Sequence, residues 1–112
     1  MILDLLGDAR IISVDRGRAV LTLALDCANA VCLSAPVREL RFFEYSIILD
    51  AGLTGCIWHR HSLTAGPGFQ TLELTVYVPS TKRKPPKRRS VIRFKRMEII
   101  SQQGVSIDAT YH

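Results

Sequence analysis

A chain of 112 residues, 47% hydrophobic and 22% charged, holds enough apolar material for one core and too little length for two, and this balance excludes disorder over most of its length. The formal charge of +5 is unevenly distributed: Met1 to Thr81 carries six Arg against eight acids, Lys82 to Arg96 carries nine Lys and Arg with no acid, and Met97 to His112 carries the acids Glu98 and Asp108. No run approaches the roughly twenty apolar residues of a membrane-spanning helix, and the start MILDLLGDAR, with Asp4 and Asp8 in place of a basic flank, does not read as a secretory signal.

Met1 to Leu6 offers at most one helical turn. From Ala9 the run ARIISVD meets a turn at Arg16-Gly17 and returns as RAVLTLAL, with Leu21, Leu23 and Leu25 on one face, which predicts a hairpin. Asp26 to Glu44 is ambiguous: Ser34 and Pro36 could open a helix through VRELRFFEY. LRFFEYSIIL, Asp50-Ala51-Gly52 and LTGCIWHRHSL then read as a second hairpin about a glycine-containing turn. After the breaker cluster Ala65-Gly66-Pro67-Gly68, TLELTVYVP alternates cleanly, with Leu72, Leu74, Val76 and Val78 on one face and Thr71, Glu73, Thr75 and Tyr77 on the other. Its expected partner is SVIRFKRMEII, with Ile92 and Phe94 inward and Val91, Arg93 and Lys95 outward. Ser101 to Gly104 is a further turn and VSIDATY a last strand. The expected fold is mainly β: a single domain over 1–112, a small antiparallel barrel or sandwich of about six or seven strands with room for one short helix, and a protruding basic β-ribbon over 82–96.

That ribbon, TKRKPPKRRSVIRFKR, is the feature that bears on function. Lys82, Arg83, Lys84, Lys87, Arg88 and Arg89 surround Pro85-Pro86, and Arg93, Lys95 and Arg96 continue down the returning strand. The prolines lack an amide hydrogen and have a fixed φ, so they end the ladder and keep the tip extended. Each cation that neutralises a phosphate releases condensed counterions, so these nine residues are the expected nucleic-acid-binding set. Contact is expected through the backbone of DNA or RNA and not through bases, since no helix-turn-helix, ribonucleoprotein aromatic signature or complete zinc finger is present.

The same charge run serves two rival readings. Basic runs of this kind act as nuclear localisation signals read by an import receptor, and they dock on an anionic membrane surface; a structural or regulatory interaction protein of viral accessory or matrix type would use the tip in either way. Cys27, Cys32, Cys56, His59 and His61 are residue types that bind zinc, but in a regular strand Cys56 and His59 face opposite ways while His59 and His61 share a face, which argues against a full tetrahedral set. His59, Arg60 and His61 with Trp58 could extend a binding surface instead. Three cysteines, an odd number, speak for a reducing compartment, so the expected location is intracellular, nuclear or cytoplasmic. No phosphate loop, paired carboxylates or Ser-His-Asp pattern can be assembled, so no catalytic residues and no cofactor are expected. A mean hydropathy of +0.14 in so small a chain predicts apolar surface left over for a homo-oligomer.

Overall fold

The computed structural model describes residues 3, 6–27, 37–50, 52–81, 83–104 and 106–108. Within them the chain is strand after strand: β1 (Arg10–Arg16), β2 (Val20–Asp26), β3 (Val37–Phe43), β4 (Ser46–Leu49), β5 (Ile57–Gly66), β6 (Phe69–Tyr77), β7 (Lys87–Phe94), β8 (Arg96–Ser101) and β9 (Ser106–Asp108). They form one antiparallel nine-stranded sheet in the order β4-β7-β6-β5-β1-β2-β3-β8-β9. The order runs from one edge to the other without closing, so the expected barrel or sandwich of six or seven strands is corrected to one open sheet. No α-helix occurs among the described residues, and so none that is long and apolar enough to cross a membrane. Val37–Phe43 is a strand; Ser34 and Pro36, the expected helix start, lie outside the described residues, as do most of Met1 to Leu6.

Two breaks explain the higher strand count. The run LRFFEYSIIL is cut at Glu44, which takes a left-handed φ of 51°, and SVIRFKRMEII is cut at Lys95. The breaks lie opposite one another, since Lys95 N–H donates to Phe43 O at 3.0 Å. One long ladder thus runs from Val37↔Ser101 through Phe43↔Arg96 to Ser46↔Arg93 and Leu49↔Val91, turning a corner midway. Glu44 N–H is taken by Ala19 O at 2.8 Å, and the Tyr45 hydroxyl donates to Gly17 O at 2.7 Å, which ties the corner to the first hairpin. The expected second hairpin does not form: β4 pairs with β7, while β5 pairs with β6 along its length and meets β1 only at Arg10↔Ile57.

The corner curls the sheet so that apolar faces from both halves enter one cluster. Leu21, Leu23, Leu40, Leu72, Leu74 and Ile92 are all buried in it, and Phe42 of β3 meets Phe94 of β7 edge to face with centroids 5.0 Å apart. Two turns depend on glycine. At Gly17 an added Cβ would lie 2.8 Å from Val20 O, closer than a side chain tolerates, and in the two-residue loop between Gly66 and Phe69, Pro67 is followed by Gly68 at φ 73°, the geometry of a turn that puts glycine third.

The curled halves are latched at one end by Arg16, which pairs with Asp50. The Asp50 carboxylate also accepts the Gly52 N–H at 3.0 Å; that bond first, and Arg16 second, hold its pKa below the ordinary carboxylate range. Its contribution is therefore complete above the unfolded value of about 4 and is lost as the pH falls through the lower folded value. Because the pair is exposed, Asp50→Ala is expected to cost only about 0.5–1 kcal/mol in denaturant unfolding at neutral pH. That deficit should shrink when the titration is repeated in acid.

Candidate functional site

The basic segment is organised by the β6–β7 hairpin, whose register runs from Gln70↔Phe94 to Tyr77↔Lys87. Alternation sends Ser90, Ile92 and Phe94 into the core, which places Lys87, Arg89 and Arg93 on the outer face beside Tyr77, Thr75 and Thr71. Val78 N–H donates to Pro86 O at 2.8 Å and closes the neck of the connecting loop. Beyond that neck Arg83 and Lys84 are exposed, and with Tyr77, Pro85 and Lys87 they line an open cleft. Lys82 lies outside the described residues.

The expected cations are spread along the strand and not gathered at one tip. Arg83, Lys84, Lys87 and Arg88 stand at the loop end, whereas Lys95 and Arg96 belong to the corner, about 25 Å away at the rise of an extended strand. Three of them meet carboxylates: Arg89 and Glu73 at 3.2 Å, Lys95 and Glu44 at 3.8 Å, Arg96 and Glu98 at 3.3 Å. All three pairs leave the cation's side chain more than half exposed, a setting in which an ion pair contributes about 0–1 kcal/mol. Arg88 donates to Gly52 O at 3.2 Å. Arg93 lies 4.3 Å from the Phe69 ring and Arg96 4.0 Å from the Phe43 ring. Among the described residues no carboxylate lies within ion-pair distance of Arg83, Lys84, Lys87 or Arg93.

A bulge in β5 adds to this face what regular alternation hides. The pairing jumps from Trp58↔Val76 to Arg60↔Thr75, so Arg60 joins the outer face and the His59 ring packs against Tyr77 at 4.4 Å. His61 instead pairs with inward-facing Leu74 and accepts the Trp58 Nε1–H at Nδ1, 3.4 Å away. The bulge takes His59 and His61 out of regular alternation, yet both still line one open pocket with Leu3, Gly7, Trp58 and Arg60. Trp58 is 1% exposed, which removes it from any binding surface. Around His59 stand Tyr77, Lys87, Arg60 and Asp8; partial burial, then Lys87 and Arg60, press its pKa below the ordinary histidine value, while Asp8 opposes them. One sequence cue, an aromatic residue opposite a lysine (Tyr77 and Lys87), points to this cluster, and His59 joins it only once the bulge is known.

The cysteines face away from such chemistry. Cys27 and Cys56 are buried and unbridged, their thiols aimed at Val37 O (3.3 Å) and Gly52 O (3.6 Å). Burial raises both thiol pKa values, a shift that Arg88 only partly offsets at Cys56, whereas a zinc ligand must give up its proton. Among the described residues no three His, Cys, Asp or Glu converge as a metal site; Cys32 lies outside them.

Comparison of the chain with protein-family models, with curated proteins and with solved structures finds no significant match.

Proposed function

We propose that this protein binds nucleic acid without catalysing a reaction on it, and that it grips phosphates through the β6–β7 hairpin, whose loop end projects as a basic ribbon. The observation that carries this reading is the acid-free run of nine cations, in which the ion pairs present are exposed and weak and leave Arg83, Lys84, Lys87 and Arg93 without a carboxylate among the described residues. The outer face adds Arg60, so the cationic surface continues from β7 across β6 to β5. Phosphate contact of this kind is independent of base sequence and falls steeply with salt. An oligomer would set several such faces on one polymer, and sedimentation at micromolar concentration checks that part: a monomer removes it.

A second reading rests on β4. Ile48 and Leu49, 55% and 45% exposed, lie on the strand next to the cations of β7, and apolar side chains beside basic ones suit an anionic membrane surface. Titrating the protein into duplex DNA, single-stranded RNA and vesicles containing phosphatidylserine, across a salt series, separates the readings. Nucleic-acid affinity should fall linearly with log salt, with a slope that reports the phosphates met. Binding to vesicles alone would transfer the function to the membrane, and binding to none of the three near physiological ionic strength would end the leading proposal.

His59 gives the complex a pH signature. Burial first, and the charges of Lys87 and Arg60 second, lower the His59 pKa; a phosphate brought to those two cations offsets the second part, so the bound state takes up a proton more readily than the free one. Affinity is then expected to rise by up to about tenfold between roughly pH 7.5 and 5.5. The measurement is the same titration at each pH beside His59→Asn, which should show the flatter profile.

A further inference from the structure

Resting on the nucleic-acid reading above, we propose that the cleft between Tyr77 and Pro85 holds one unpaired nucleotide, so that the protein prefers single strands, with the base against the tyrosine ring and the adjoining phosphate against Arg83, Lys84 and Lys87. A surface meant only for phosphates has no use for an apolar wall, yet this cleft has two, an aromatic ring and a pyrrolidine, with three cations and no acid among its lining residues. That is the chemistry of a nucleotide: a flat apolar base joined to an anion. Aromatic side chains stack on any base, and a positive groove follows the strand on either side.

The cleft is also built before a ligand arrives. Tyr77 is the last residue of β6 and sits opposite Lys87 in the ladder. The His59 ring supports it from the β5 side at 4.4 Å, and the Lys87 ammonium stands 5.6 Å from its centroid. The far wall belongs to a loop whose neck is closed by the bond from Val78 N–H to Pro86 O, and Pro85 and Pro86 carry no amide hydrogen that could compete for the phosphate. When a nucleotide enters, Lys87 needs only a rotamer change to exchange the ring for a phosphate oxygen. A duplex keeps its bases stacked inside and can offer this cleft nothing but its backbone.

The test compares three probes of about twelve nucleotides at about 0.1 M salt: oligothymidylate, an abasic strand with the same phosphates, and a duplex. The intact protein should bind oligothymidylate about tenfold more tightly than the abasic strand. Tyr77→Ala should abolish that difference, Tyr77→Phe should keep it, and Tyr77→Leu, which fills the place beside His59 without a flat ring, should behave as the alanine variant does even if the latter folds poorly. Equal binding of oligothymidylate and the abasic strand by the intact protein, or a preference that survives in Tyr77→Leu, overturns the nucleotide cleft and leaves the phosphate reading standing. Failure of all three probes to bind overturns both.

Discussion

Changing Lys84, Lys87, Arg89 and Arg93 together to alanine is expected to weaken nucleic-acid binding by about two to three orders of magnitude at 0.1 M salt, and to make the log-log salt dependence shallower by about three to four units. These four residues span the outer face from the loop to the penultimate residue of β7. Among them Arg89 alone has a carboxylate within ion-pair distance among the described residues, and both members of that pair are about half exposed. Removing exposed side chains changes stability by about 0.5 kcal/mol or less each, so circular dichroism and the melting temperature should stay close to those of the parent. Arg18 and Arg38, exposed cations on or beside the other half of the sheet, form the control pair. If that pair weakens binding as much per residue, the charge acts diffusely and the β6–β7 face has no privileged role.

The largest loss of stability is expected from Phe94→Ala. Phe94 is fully buried at the end of β7 and meets Phe42 across the corner, so its removal takes away apolar burial and leaves a void at the place where the sheet bends. Truncations of this type cost about 3–5 kcal/mol, which in a domain of this size lowers the melting temperature by roughly 15 °C or more. Ile48→Ser is the contrasting change, since Ile48 is already more than half exposed and should cost less than about 0.5 kcal/mol. Calorimetry on the two variants checks both numbers. A Phe94→Ala protein that melts with the parent would mean that the two halves do not share one core.

The strands that alternate could be read directly. Leu72, Leu74 and Val76 are buried as their period of two requires, Leu21, Leu23 and Leu25 likewise, and the turns at Gly17 and Gly68 carry the residues that their geometry demands. What misled was continuity. LRFFEYSIIL holds no glycine or proline, so nothing in its composition marks Glu44 as a left-handed residue that breaks one strand into two; its backbone is held there by Ala19 O, a partner far along the chain. The wrong hairpin followed from this, because neighbouring apolar runs were paired locally while β4 finds its partner in β7. The candidate face was half visible. The charge run stands out in any reading, but a bulge is an extra residue with no sequence signature of its own, so the contact of His59 with Tyr77 could not be found by counting twos.

The long bent ladder also sets the tempo at which the molecule forms. β3 lies between β2 and β8, so this side of the sheet cannot be completed until Val37 has found Ser101, across most of the remaining chain. Closing so large a loop costs entropy before any ladder bond repays it, and folds dominated by distant pairings take milliseconds to seconds where helical bundles take microseconds. During that interval β3 waits as an unfinished edge that carries Leu40, Phe42 and Phe43. A chain short of its last strands therefore exposes a template for aggregation, and the acid-free cationic stretch adds mutual repulsion between such chains.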